Sequence, residues 1–184
     1  MILDNNDVVD IRSYTFRSED RLLLDTNIWL LVYGPNADSE DRRTKAYSAA
    51  LRKMREHKAK IFTDELILSE FINRFSRWEY DQLDPSTRPQ YFKEFRKSPA
   101  FKQVAQEIAA SAKKILKMTV CCDSGFDRMN VEQMLIEFET GKFDFNDQII
   151  YELCKAKQFV LVTDDGDFKT ADIAILTINR ALLA

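Results

Sequence analysis

Residues 21–27 read Arg-Leu-Leu-Leu-Asp-Thr-Asn, an apolar run that ends abruptly at an acidic residue. A short continuous apolar run of this kind is typical of a strand buried on both faces, as the strands of parallel sheets are. The chain then turns, so the carboxylate of Asp25 is predicted to lie at the carboxyl end of a strand. In parallel α/β sheets this edge is where ligands bind.

The rest of the chain alternates between short apolar strands and amphipathic helices. This order predicts a three-layer α/β fold with a central parallel sheet of about five strands, flanked by helices. The predicted strands are residues 21–24, 60–62, 118–122, 159–163 and 173–178. The predicted helices are residues 41–57, about 64–80, 100–117, about 128–140 and 145–157.

The helix after the second predicted strand carries an acidic residue, Glu70, that lies within the helix and not in a turn. Thr63 is predicted to cap this helix, with acidic residues in its first turn where the helix dipole favours them. The apolar positions recur at helical spacing, and Glu70 falls on the opposite, polar side together with Arg74. Glu70 is therefore not expected in the core.

Length and composition favour one domain. The chain has 184 residues, of which 45% are hydrophobic, enough for one core. We expect residues 1–20 to form an N-terminal arm and residues 21–184 to form the domain, with a helical and loop excursion at about 81–117. No apolar stretch reaches the roughly 18–20 residues that a membrane span requires, and the N-terminus is acidic. Three cysteines without metal-ligand spacing fit a reducing compartment, so the expected location is the cytoplasm.

The net charge of −3 conceals two basic segments. Residues 42–60 carry a local balance of +7 and residues 88–117 a balance of +6, whereas the remaining segments are acidic. An acidic centre flanked by basic surfaces suits a protein that holds a phosphate backbone through counterion release. The same runs also fit solvated helix faces, and composition leaves both interpretations open.

Four acidic residues occupy separate settings along the chain: Asp25, Glu70, Asp147 and Asp165. Asp25 and Asp165 directly follow predicted strands, Glu70 lies on the helix after the second strand, and Asp147 opens the helix before the fourth. If the fold gathers them, their charges repel by roughly 4 kcal/mol per close pair at an effective dielectric near 20. Such a cluster needs protons or a cation such as Mg²⁺, and it is suited to phosphate chemistry.

Each acid also has a purely structural interpretation. Asp25 could cap the next helix, and Glu70 could pair with a basic residue four positions later. Asp147 could complete a capping arrangement with Asp144, and the Asp-rich segment 164–167 could be an ordinary turn. The joint occurrence of the four acids, in order and near strand ends, is what favours a site.

With these motifs the chain resembles the PIN (PilT N-terminus) domain nucleases, a family that includes the toxin halves of many bacterial toxin–antitoxin modules. The resemblance spans about residues 21–180. Its most specific parts are the strand that ends in Asp-Thr-Asn at 25–27 and the strand that leads into Thr-Asp-Asp-Gly-Asp-Phe at 163–168. Ser-Glu at 69–70 and Phe-Asn-Asp at 145–147 occupy the expected order. The resemblance implies a PIN-like nuclease domain over residues 21–184.

The resemblance also implies a set of catalytic, metal-binding acids: Asp25, Glu70, Asp147 and Asp165. Asp167 would be a further metal ligand, and Asn27 and Thr163 would orient the acids. The implied cofactor is Mg²⁺ or Mn²⁺, and the implied reaction is hydrolysis of RNA phosphodiester bonds by a metal-activated water. No side-chain nucleophile is required.

Two other functions stay open at this stage. One is a phosphatase of the haloacid dehalogenase type, because Asp25 ends an apolar strand and Asp167 with Asp172 resembles the late acidic motif of that group. Asn27 counts against it, since that chemistry normally uses a second aspartate as general acid two positions after the nucleophile. The other is a non-catalytic module that keeps the fold and binds RNA or a protein.

The expected partners follow from the resemblance. They are an RNA substrate, single-stranded or structured, an antitoxin protein and a second copy of the chain in a homodimer, with no membrane partner. The sequence separates neither the kinds of RNA nor RNA from DNA.

Overall fold

The computed structural model describes residues 3–4, 6–35, 37, 40–141 and 144–184, so residues 1, 2 and 5 of the predicted arm lie outside it. The strands are β1 (Val8–Asp10), β2 (Arg21–Leu24), β3 (Lys60–Thr63), β4 (Val120–Cys121), β5 (Val160–Val162) and β6 (Ile175–Thr177). The helices are α1 (Thr26–Tyr33), α2 (Arg42–Glu56), α3 (Glu65–Asp81), α4 (Phe92–Phe95), α5 (Pro99–Met118), α6 (Val131–Glu139), α7 (Phe145–Lys157) and α8 (Arg180–Leu183). Short 3₁₀ helices cover Phe126–Arg128 and Gly166–Thr170.

The strands form one parallel sheet in the order β1-β6-β5-β2-β3-β4. The predicted α/β fold is confirmed, with one strand more than expected. The extra strand, β1, comes from the predicted arm and pairs with β6, with Val8 opposite Ile175. Val8–Asp10 was not recognised as a strand because three residues beside polar neighbours carry too little pattern.

The core lies on and around the central strands. β2 contributes Leu22, Leu23 and Leu24, and each is fully buried. Leu161 on β5 and Ile175 on β6 are also fully buried. Burying a leucine side chain stabilises the fold by about 1.5–3 kcal/mol, so this apolar run accounts for a central strand covered on both sides.

α3 begins one residue later than the cap prediction required. Its N-cap is Asp64, whose carboxylate accepts the backbone N–H of Ile67 at 2.8 Å, so the prediction that Thr63 caps the helix is wrong. Thr63 is still the last residue of β3 and therefore has extended backbone. Aspartate is one of the best N-cap residues, so Asp64 caps the helix one residue after the predicted cap.

The excursion at 81–117 contains α4 and α5. Ser98 caps α5 by accepting the backbone N–H of Phe101 at 3.4 Å, and Pro99 occupies the first turn. Phe95, 1% exposed, packs with its ring centroid 5.7 Å from Tyr80 and 5.2 Å from Phe101. This aromatic cluster ties the excursion to the end of α3.

Two predicted boundaries are wrong at their ends. Met118 is the last residue of α5 rather than the first of a strand, so β4 is only two residues long. α6 starts at Val131, because Asn130 caps it by accepting the backbone N–H of Gln133 at 3.2 Å.

The three cysteines are free thiols. Within the described parts of the chain, no helix combines the length and apolar character needed to cross a membrane.

Candidate functional site

The sheet register brings Asp25 next to Thr163. Leu24 pairs with Val162, so the residue after each strand meets the other at the carboxyl edge of the sheet. The hydroxyl of Thr163 donates to Asp25 Oδ2 at 2.7 Å, and the Asp25 carboxylate is 5% exposed. Asp25 stands at the N-cap position of α1, but its side chain makes no capping hydrogen bond. The carboxylate of Asp25 therefore does not cap α1.

Asn27 joins the two strand ends. Its side-chain amide donates to Asp25 Oδ2 at 2.6 Å and to Thr163 Oγ1 at 3.1 Å, while its Oδ1 accepts the backbone N–H of Asp164 at 3.2 Å. An acid at this position could not donate both bonds while ionised. The amide thus positions Asp25 instead of transferring a proton.

Glu70 faces the same edge from α3. The hydroxyl of Thr26, fully buried at the start of α1, donates to Glu70 Oε2 at 3.1 Å. On the other oxygen, Arg74 Nη1 donates to Glu70 Oε1 at 3.2 Å, one helical turn away. The ion pair with Arg74, which the purely structural interpretation of Glu70 expected, is therefore present. Glu70 also contacts α1.

Asp165 and Asp167 lie in the turn after β5. The backbone N–H of Asp165 donates to Thr163 Oγ1 at 3.0 Å, so the threonine hydroxyl touches both acidic strand ends. Asp165 Oδ1 accepts the backbone N–H of Asp167 at 3.1 Å and caps a 3₁₀ helix. Asp165 is half-buried and Asp167 is exposed.

Asp164 points into a second hydrogen-bond network. Tyr47 on α2, 1% exposed, donates its hydroxyl to Asp164 Oδ1 at 2.8 Å and accepts the backbone N–H of Ile178 at 3.1 Å. Arg43 Nη1 lies 3.7 Å from Asp164 Oδ2. Burial raises the pKa of the Tyr47 hydroxyl, so it stays a donor. These contacts hold the loop after β5 against α2.

Asp147 lies in the first turn of α7, where the helix dipole favours a negative charge. The N-cap is Asp144, which accepts the backbone N–H of Asn146 at 2.8 Å. Burial, the largest cause, and the charges of Asp25 and Asp165 together raise the pKa of Asp147 to about 7. Asp147 therefore shares the electrostatic environment of the two strand-end acids.

The same coupling acts on Asp25. Burial is the largest cause that raises its pKa to about 6, and the charges of Glu70 and Asp165 add to it, while the hydrogen bond from Thr163 opposes it. The charges of Glu70 and Asp165 thus raise the pKa of Asp25, and the charge of Asp25 raises the pKa of Asp147. Acids from four distant parts of the chain converge on one edge of the sheet.

The coupled carboxylates do not form a ready-made ligand cluster. Over residues 3–4, 6–35, 37, 40–141 and 144–184, no group of three or more His, Cys, Asp or Glu side chains is arranged to hold a metal ion. The donor set nevertheless suits Mg²⁺ or Mn²⁺, because it is made of carboxylate oxygens, the ligands that these hard cations prefer. Burial and neighbouring carboxylates raise the pKa values of Asp25 and Asp147, so a bound cation would stabilise their ionised forms.

Four contributing residues were missed by sequence reasoning. Tyr47 resembles any buried helical aromatic, and Asp164 cannot be separated from its neighbour Asp165 by pattern. Arg43 belongs to a basic run, and Thr26 resembles a helix-start residue. Each of these four residues contacts a partner far along the chain, and no short stretch of sequence contains both residues.

Comparison with known proteins identifies the class. The family model of the PIN domain matches residues 22–174. The chain belongs to the PIN domain family, whose members are generally nucleases.

A solved structure shows the same fold. One chain of the crystal structure of VapBC2 from Rickettsia felis bound to a DNA fragment from their promoter superposes with a TM-score of 0.54 at 15% sequence identity. The match covers 85% of this chain and 97% of that chain. At this identity the similarity concerns the fold. No curated protein sequence matches the chain.

Proposed function

We propose that the protein is a divalent-metal-dependent endoribonuclease that hydrolyses phosphodiester bonds in RNA. The observation that carries the proposal is the convergence of Asp25, Glu70, Asp147 and Asp165 at one sheet edge, where burial and mutual charge raise the pKa of Asp25 to about 6 and of Asp147 to about 7. Family membership supports nuclease chemistry and argues against the phosphatase alternative.

The proposed cation ligands are the carboxylates at this edge: Asp25, Glu70, Asp147, Asp165 and, from the turn, Asp167. A Mg²⁺ or Mn²⁺ ion held there would lower the pKa of a nearby water and neutralise charge on the scissile phosphate. Near neutral pH, cation binding would release a proton mainly from Asp147, whose pKa is about 7, because Asp25, with a pKa of about 6, is already mostly ionised.

Neighbouring side chains hold the acids in place. Thr163 and Asn27 both donate to Asp25 Oδ2, so this carboxylate keeps one orientation. Thr26 donates to Glu70 from α1. Such hydrogen-bonded support is what keeps metal ligands and reacting groups within reach of a substrate. Asp165 is the acid proposed to bind the cation or to position the attacking water.

The test is cleavage of a single-stranded RNA by the wild-type protein and by Asp25→Asn, with Mg²⁺ and with EDTA. Asp127→Asn is the matched control, because that side chain is 75% exposed and lies outside the acidic edge. We expect magnesium-dependent cleavage by wild type and by Asp127→Asn, and none by Asp25→Asn. Equal activity of all three proteins would refute the assignment. Metal binding undetectable by calorimetry, with RNA binding intact, would instead indicate the non-catalytic module.

The biological role we propose is the toxin of a toxin–antitoxin module in the cytoplasm, with an antitoxin and a second copy of the chain as protein partners. Its support is family membership and the shared fold with a VapBC2 chain. Induced expression should arrest bacterial growth for wild type but not for Asp25→Asn. Normal growth with an active wild-type enzyme would contradict the toxin role and leave the nuclease activity standing.

A further inference from the structure

A cleft of about 390 Å³ opens beside the acidic edge. Its lining includes Asn27, Asp164 and Asp165, which belong to the site described above. The lining also includes Arg43, Arg74 and Trp78 and an apolar group, namely Leu30, Leu31 and Pro35. The volume lies within the range of small-ligand pockets, and Asp165 belongs both to the acidic edge and to the lining of the cleft.

One stripe of α3 forms a wall of this cleft. Glu70, Arg74 and Trp78 recur every four residues, so they lie along the same side of the helix. With a rise of 1.5 Å per residue, Trp78 lies roughly 12 Å along the helix from Glu70. The stripe therefore runs from an acid, through a cation, to a half-buried indole ring.

The cleft combines the two kinds of group that single-stranded nucleic acid requires. Aromatic rings stack on bases, and arginines bind phosphates while reaching into solvent. The side chains of Arg43 and Arg74 are each 56% exposed, and each pairs with an acid of the site region, Asp164 or Glu70. Trp78 and the apolar group line the cleft together with these cations.

We propose that this cleft binds one unpaired nucleotide of the substrate, with its base on Trp78 and its phosphates at Arg43 and Arg74. The proposal rests on the proposed function, since it places the neighbouring phosphodiester at the acidic edge. A base inside a duplex is stacked and paired and cannot reach Trp78. Binding in this way requires a single-stranded segment of nucleic acid.

Tryptophan fluorescence gives a direct binding test. The chain has two tryptophans, and Trp29 is fully buried, so Trp78 is the ring that a ligand can reach. The wild-type protein is titrated in EDTA with a single-stranded ribo-oligonucleotide, its deoxy counterpart and an RNA duplex. Quenching by the ribo-oligonucleotide, alone or with its deoxy counterpart, and not by the duplex supports the proposal. Quenching by neither single strand, or equal quenching by the duplex, overturns it.

Substitutions test the two components separately by anisotropy of a labelled oligonucleotide. Trp78→Leu should weaken binding at least about fivefold, whereas Trp78→Phe, which keeps a ring, should lose less. Arg43→Ala is compared with Arg52→Ala, which removes the same charge from an exposed position of α2. Only Arg43→Ala should weaken binding markedly. Equal losses for the two arginine variants, or none for Trp78→Leu, would contradict the cleft.

These outcomes are separable from the proposed function. Cleavage of RNA by wild type without any quenching at Trp78 would overturn the cleft and leave the nuclease standing. Quenching with the expected variant order, but without cleavage at any metal concentration, would support the cleft and refute the nuclease.

Discussion

Asp25→Asn is expected to stabilise the protein in EDTA while abolishing its activity. The carboxylate of Asp25 is 5% exposed, and burial with neighbouring acids raises its pKa from 3.8 to about 6. Ionising it therefore costs the folded state about 3 kcal/mol relative to the unfolded chain, at 1.36 kcal/mol per pKa unit. Asparagine has a similar shape without the charge, and its oxygen can still accept from Asn27 and Thr163.

The effect has a defined pH window. Below pH 3.8 the carboxyl is protonated in both the folded and the unfolded state, so the cost is absent. It develops as the pH rises toward about 6, because the folded state then retains a proton that the unfolded chain has released, and it is complete above that value. The advantage of Asp25→Asn should accordingly be small near pH 4 and reach about 3 kcal/mol at pH 8.

Thermal unfolding in EDTA at the two pH values provides the measurement. For a chain of this size, 3 kcal/mol corresponds to a rise in melting temperature of roughly 6–12 °C at pH 8. Adding Mg²⁺ at 100 times its Kd should stabilise wild type by about 2.7 kcal/mol and leave the variant unchanged.

A variant less stable than wild type by the same amount at both pH values would refute the reasoning. It would mean that the hydrogen bonds from Asn27 and Thr163 outweigh the cost of the buried charge. Asp127→Asn, at an exposed position, should match wild type throughout and serves as the control.

Three further predictions concern the site and the core. Magnesium affinity should rise about twentyfold from pH 6 to pH 8, since loss of the Asp147 proton, with a pKa of about 7, contributes about tenfold and loss of the Asp25 proton, with a pKa of about 6, about twofold. Calorimetry showing equal affinities would contradict this. In urea denaturation, Leu23→Ala should lower the free energy of unfolding by about 2–5 kcal/mol, because Leu23 is fully buried on β2. Leu135→Ala, at a residue that is 48% exposed, should lower it by about 0.5 kcal/mol or less. Equal losses would count against the core assignment. Tyr47→Phe should lower the free energy of unfolding by about 1–3 kcal/mol in the same assay, because it leaves the buried hydrogen-bond partners at the ends of β5 and β6 unsatisfied. Tyr91→Phe, at an exposed residue, should change the free energy of unfolding little.

The strand-end acids could be predicted because parallel strands share one carboxyl edge. The apolar run before Asp25 and the run before Asp165 each define where a strand stops, and β2 pairs directly with β5. Glu70 was assigned to the polar side of its helix from periodicity alone. Local pattern thus places the two strand-end acids at the carboxyl edge and puts Glu70 only on the polar side of α3.

The remaining parts of the site depend on contacts between distant segments. The position of Asp147 relative to Asp25 depends on how α7 packs, which no local pattern contains. The hydroxyl of Tyr47 acts at the ends of β5 and β6, more than a hundred residues later. Thr63 is not the cap because it ends β3, and because Asp64, one residue on, has the higher N-cap propensity.

The strand from the arm has a consequence for handling the protein. β1 covers the outer edge of β6, whose residues Ile175 and Leu176 are fully buried. A version trimmed to begin at Arg21 would leave that edge with unpaired backbone groups beside apolar side chains, the usual starting point for sheet-to-sheet aggregation. β1 therefore protects an edge of the sheet that would otherwise be open.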